Sequence, residues 1–200
     1  VMGIDFTETE REDARIHCKS GWINAKLKYE YNGILDCNQA STLFGGPKEC
    51  SFGCLGLGSC ARACPFDAIK IFKDHKVKVL EEKCTACGRC VVVCPTHIIH
   101  LIKFKDKLYN GCSSTDKGAV VRKYCVVGCI GCFKCEKVCP ADAIHVKNNL
   151  AVFDYSKCIS CNKCFEVCPT RCIRSYIPLE QKDNNVENNN NVANKKNSTG

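Results

Sequence analysis

Aromatic side chains make up only 8% of these 200 residues, and a single tryptophan is among them. That leaves little of the ring-rich material from which a domain of this length ordinarily builds its core. Nor is there any run of 18 apolar residues: the longest stretches, such as VVVC at 91–94, are far too short to span a bilayer. The opening VMGIDFTETE has the composition of neither a signal peptide nor a transit peptide. The glycines of GCLGLG at 53–58 do not follow G-x-G-x-x-G and no Walker lysine comes after them, so no dinucleotide or flavin site is expected. The five histidines, at 17, 75, 97, 100 and 145, form no compact metal-ligand motif and are assigned surface or packing roles.

What the chain does have is cysteine, 21 in all. Disulfide scaffolds are typically short, and an odd count leaves a thiol unpaired. The clustering argues more strongly against bridges. Residues 84–95, 129–140 and 158–169 each read C-x2-C-x2-C-x3-C-P, the run that holds iron–sulfur clusters in bacterial ferredoxins. Zinc ribbons also use C-x2-C pairs, but they do not explain three-cysteine runs closed by C-P. A reducing compartment follows. The first run, CSFGCLGLGSCARACP at 50–65, departs from the pattern, because Leu57 stands where a middle cysteine belongs.

The halves of the chain are related by duplication. Cys37, Cys50, Cys54, Cys60 and Cys64 recur 75 positions later as Cys112, Cys125, Cys129, Cys135 and Cys139; Cys84, Cys87, Cys90 and Cys94 recur 74 later as Cys158, Cys161, Cys164 and Cys168. In two-cluster ferredoxins the fourth cysteine of each run serves the other cluster. The expected ligand sets are therefore Cys50, Cys54, Cys60 with Cys94; Cys84, Cys87, Cys90 with Cys64; Cys129, Cys132, Cys135 with Cys168; and Cys158, Cys161, Cys164 with Cys139. Cys50 is assigned as the replacement for the thiolate missing at Leu57, with Cys37 or an open iron site as alternatives. One fact resists this assignment: Cys125, the counterpart of Cys50, precedes a run that already has three ligands. Cys18, Cys37, Cys112, Cys125 and Cys172 are left as buried, inert thiols.

Four [4Fe–4S] clusters, each with four thiolates and about −2 in charge, would offset the formal +8 of the chain. The basic balance then reads as compensation for the cofactor, and nucleic acid is not an expected partner. Clusters closed by four cysteines suit one-electron transfer and leave no iron free for substrate. Arg62, Arg89, Lys134 and Lys163 sit inside the cluster loops, where they can meet an acidic electron carrier.

The coarse fold is α+β: two tandem bacterial-type dicluster ferredoxin modules. The i, i+4 pairs Cys60/Cys64, Cys90/Cys94, Cys135/Cys139 and Cys164/Cys168 predict short helices, each stopped by the following proline. AIKIF, KVKVL, IIHLIKF, AIHV, LAVF and CIRSYI predict strands. The chain divides into an α-rich lead-in at 1–33, a first module at 34–108, a second at 109–179, and a disordered Asn-rich tail at 180–200.

The segments DCNQASTLFGGPKECSFGCLGLGSCARACPFDAI (36–69) and GCSSTDKGAVVRKYCVVGCIGCFKCEKVCPADAI (111–144) resemble the B subunit of the Rnf complex. NNLAVFDYSKC (148–158) and RIHC (15–18) extend the match to roughly residues 15–178. Generic dicluster ferredoxins share the cysteine runs but not LFGG, GCLGLGSC or SSTDKG. The resemblance implies membership of a membrane-bound, ion-translocating ferredoxin:NAD+ oxidoreductase, a translocase. There the B subunit exchanges electrons with soluble ferredoxin and relays them to partner subunits, at the cytoplasmic face of the cell membrane. It also implies a hydrophobic anchor and a further cysteine module upstream of this segment. A free-standing polyferredoxin, or a ferredoxin-like subunit of another oxidoreductase, is the alternative.

Overall fold

The computed structural model describes residues 10–175; the Asn-rich tail expected to be disordered lies outside the described residues. Eight short strands and six short helices follow the chain in two similar passes. The first pass runs β1 (Glu12–Ile16), α1 (Cys37–Thr42), α2 (Ser59–Arg62), β2 (Ile69–Ile71), β3 (Val77–Val79), α3 (Arg89–Val92) and β4 (Ile99–Lys103). The second runs β5 (Leu108–Asn110), α4 (Gly118–Tyr124), α5 (Lys134–Lys137), β6 (Ile144–Lys147), β7 (Leu150–Phe153), α6 (Lys163–Glu166) and β8 (Ile173–Ser175).

Each pass makes two antiparallel pairs. The hairpins β2–β3 and β6–β7 join neighbours in sequence, whereas β1–β4 and β5–β8 close each unit by pairing its first strand with its last. The register of the closing pairs, Ile16 opposite Ile99 and Asn110 opposite Ile173, makes β1 the structural equivalent of β5.

Two readings are corrected by these pairings. The lead-in expected to be α-rich holds β1 instead, and no helix is found among its described residues. EDARI looks acidic and solvent-bound as a string, yet Asp13 and Arg15 are fully buried as an ion pair at 3.1 Å. Arg15 also donates to the carbonyls of Lys103 and Asp106, and its guanidinium lies 5.5 Å from the centre of the Tyr109 ring, so it ties the first unit to the start of the second. The second correction concerns Cys112. Cys18 lies two residues past β1 and Cys112 two residues past β5, so Cys18 is the mate of Cys112, at an offset of 94. Cys37 belongs to extra chain in the first pass, where Cys18 and Cys50 stand 32 apart against 13 for Cys112 and Cys125.

The aliphatic cores are small and are built around thiols. In the first unit Ala14, Ile16, Ile69, Val77, Ile98 and Ile99 pack with Cys60 and Cys90; in the second Leu108, Ile144, Ala151 and Ile173 pack with Cys129, Cys135, Cys164 and Cys172. Cores built so largely of thiols tie the packing of each unit to whatever those thiols bind.

Candidate metal centres

All four cysteine loops share one backbone. In each, the residues flanking the middle position adopt the left-handed conformation: Gly56 and Gly58, Ala86 and Gly88, Gly131 and Phe133, Ser160 and Asn162. A further left-handed residue, at Asp67, His97, Asp142 or Arg171, follows each Cys-Pro. Single left-handed residues reverse the chain at every step and wrap each loop around a central space. The loop with Leu57 keeps that geometry, so it has lost a side chain and not its shape. A short helix leaves each loop with its third cysteine, Cys60, Cys90, Cys135 or Cys164, buried.

The fourth cysteine of one loop meets the first three of its neighbour. Cys64 lines a void of about 330 Å³ with Cys84, Cys87 and Cys90. Cys139 lines one of about 290 Å³ with Cys158, Cys161 and Cys164. Cys129, Cys132 and Cys168 are the cysteines that neighbour Cys135. Burial above all, and then these neighbouring sulfurs, pushes the Cys90 and Cys164 thiols up to about 11 and Cys135 to about 12. Free of metal they are neutral thiols, and binding iron must release their protons.

The loop with Leu57 is placed differently from expectation. Its void, of about 340 Å³, is lined by Cys54, Cys60 and Cys94 together with Cys37. Cys50 lines a different void. The reason is the extra chain of the first pass. Asp36 caps α1 by accepting from the backbone N–H groups of Asn38 and Gln39 at 2.9 and 3.1 Å, and it also accepts from the Ser59 hydroxyl at 2.8 Å and the Arg62 guanidinium at 3.0 Å. The Cys37 N–H donates to Ser59 Oγ at 2.7 Å. These bonds clamp the first residue of α1 onto the loop, and Leu57, 3% exposed, packs beside Cys37, Ala40 and Leu55. Arg62 is thereby paired with Asp36, although its side chain stays exposed.

Of the cysteines expected to be inert, Cys172 is buried with its sulfur 3.7 Å from that of Cys168. Hydrogen bonding with Cys172 is the main cause that lowers the Cys168 thiol from its usual range.

Exposure separates the loops. Cys87, Cys132 and Cys161, the middle cysteines, are exposed, and so are Arg89, Lys134 and Lys163 two residues on. In the first loop the corresponding Leu57 and Ser59 are buried. Among the described residues no three His, Cys, Asp or Glu side chains are close enough to share one metal ion. Sulfurs spread around a void suit a polynuclear core, whereas a zinc site draws its sulfurs to about 2.3 Å from one ion. Soft thiol donors in an otherwise apolar lining fit a [4Fe–4S] cluster.

Comparison with known proteins agrees with this geometry. Three family models, each described as a 4Fe-4S dicluster domain, match residues 51–101, 83–144 and 128–172. The first and last coincide with the two loop pairs that meet in space, and the middle one straddles the repeat. The chain is 44% identical over 157 residues to the B subunit of the Na(+)-translocating ferredoxin:NAD(+) oxidoreductase complex of Acetobacterium woodii, covering 78% of this chain and 47% of that protein. It is 42% identical to the B subunit of the proton-translocating ferredoxin:NAD(+) oxidoreductase complex of Clostridium ljungdahlii, with 78% and 55% covered. To the B subunit of the ion-translocating oxidoreductase complex of Methanosarcina acetivorans it is 40% identical, with 78% and 60% covered. The chain thus spans about half the length of these relatives, and it belongs to their family, the B subunits of Rnf-type ion-translocating ferredoxin:NAD+ oxidoreductase complexes.

Proposed function

We propose that this chain relays single electrons between a soluble ferredoxin and the other subunits of an Rnf-type membrane complex, working at the cytoplasmic face of the membrane. The observation that carries the reading is the fourfold recurrence of one loop backbone, with the fourth cysteines Cys64, Cys94 and Cys139 each lining the void of the neighbouring loop. Four ligand sets are proposed: Cys37, Cys54, Cys60 and Cys94; Cys64, Cys84, Cys87 and Cys90; Cys129, Cys132, Cys135 and Cys168; Cys139, Cys158, Cys161 and Cys164. The strand pairings support modules that run from β1 to β4 and from β5 to β8. When bound, a [4Fe–4S] cluster supplies reversible one-electron chemistry.

The protein's own part is to hold thiolates in closed sets, exclude water and present chosen edges. Exposed Cys87, Cys132 and Cys161, each with a cation two residues away, offer three faces to an acidic carrier. The buried loop at 54–60 offers none and is an internal station. No helix among the described residues is long and apolar enough to cross a membrane, so attachment is assigned to other members of the complex or to chain beyond this segment.

The test is anaerobic mixing with reduced ferredoxin, followed by bleaching of the visible iron–sulfur absorbance. Electron uptake should slow as salt is added, and should fall about tenfold or more at low salt in the triple variant Arg89→Glu, Lys134→Glu, Lys163→Glu. Failure of the unsubstituted chain to take up electrons would overturn the relay, and rates indifferent to salt and to charge reversal would overturn the docking faces.

A further inference from the structure

With Cys37 in the first set, five cysteines remain, and four of them line one further void. Cys18, Cys50, Cys112 and Cys125 surround a space of about 390 Å³, against about 340, 330 and 290 Å³ for three of the cysteine-lined voids described above. These four are two repeat pairs. The backbone bond His17 N–H to the Ile98 carbonyl and its counterpart, Gly111 N–H to the Cys172 carbonyl, are both 2.8 Å long, and they place Cys18 and Cys112 equivalently. Cys50 and Cys125 are related by the 75-residue offset. Gly53 and Gly128 bear the same relation to them: a Cβ on either would lie 3.4 or 3.5 Å from the sulfur of Cys50 or Cys125. Each repeat therefore contributes one sulfur from beyond its first strand and one from just ahead of its first loop.

The void sits where the repeats join. Across it run backbone bonds from Lys19 N–H to the Gly111 carbonyl at 2.8 Å and from Lys26 N–H to the Tyr124 carbonyl at 2.7 Å. One cation is enclosed with the thiols. Lys48, 1% exposed, lines the same void, donates to the Ser20 carbonyl at 3.1 Å and pairs with no carboxylate among the described residues. A buried ammonium without a carboxylate is costly unless an anionic group compensates it, and a cluster held by four thiolates carries about −2.

We infer that Cys18, Cys50, Cys112 and Cys125 are the ligands of a fifth [4Fe–4S] cluster, shared between the two repeats and absent from either alone. This accounts for Cys125, which stands ahead of a loop already complete, and it places a one-electron group at the junction of the two modules. Twenty of the 21 cysteines then fall into closed sets of four, with Cys172 alone outside them.

The test uses the whole 200-residue chain prepared anaerobically, with Cys50→Ala, Cys125→Ala and the double variant. Each single variant should lose about four iron and four sulfide per chain, and the double variant no more than either. Undiminished iron in both single variants, or an additive loss of about eight in the double, would overturn the shared site. Should the variants fail to fold, the unsubstituted chain decides, since about 20 iron per chain is expected with the site and about 16 without it. A value well below 16 would instead count against the four-set relay itself.

Discussion

At the scale of single residues, Cys37 is the proposed fourth ligand of the first site. Because Asp36, Ser59 and Arg62 hold it against the loop, Cys37→Ala should remove about four iron per chain while leaving the remaining absorbance intact. Iron unchanged in that variant would mean the first site is closed some other way. The missing thiolate was legible in the sequence as Leu57 in a cysteine's place. The place of Cys37 at that void was not, because spacing favours Cys50, four residues before Cys54, over a cysteine seventeen residues before it that only a capped helix can bring back. Glu81 carries a separate prediction. Burial foremost, with the Asp13 carboxylate next and Arg15 opposing, raises its pKa to about 7. The folded chain therefore binds a proton that the unfolded chain gives up near the ordinary carboxylate value, so this contribution is full at low pH and is lost as pH rises through about 7. Glu81→Gln should flatten the difference in guanidinium resistance between pH 6 and pH 8. A wild-type-sized difference in the variant would assign the pH dependence elsewhere.

Among elements, the four loops were readable because their constraints are local. Cysteine spacing, the i, i+4 pairs and the prolines after them predict α2, α3, α5 and α6; each forms around the third cysteine of its run but ends two residues before the fourth. The six predicted strands also form. The two that were missed, β1 and β5, are the opening strands of the two units, and their partners lie more than 60 residues away. Nothing in EDARI announces that its charges neutralise each other in the interior. Missing β1 also hid the equivalence of Cys18 with Cys112, since a single offset matches Cys112 to Cys37 instead. The loop backbone itself is testable at Gly56. With φ at +75°, a Cβ there would stand 2.2 Å from the His75 carbonyl oxygen. Gly56→Ala should destabilise the holoprotein by roughly 1–3 kcal/mol, seen as faster bleaching in guanidinium. Bleaching at the wild-type rate would show that the β2–β3 hairpin yields without cost.

The whole molecule reads as two units, each a thin aliphatic core wrapped around thiols, joined by Arg15 on one side and by a four-cysteine void on another. Three sites present an exposed cysteine and a cation, while the Leu57 site and the junction site are internal. On the proposed reading, that division gives the molecule distinct places to receive and pass on an electron, with an internal group between the modules. With thiols in both cores, the stability of a chain with so few aromatic residues is expected to be bound up with the clusters. The most direct measurement of this account is an anaerobic reductive titration of the intact chain, followed by EPR. Uptake of about one electron per cluster, about five in all, with broadened and interacting signals from neighbouring reduced clusters, is the predicted result. A colourless chain that takes up no electrons and shows no signal on reduction would contradict it.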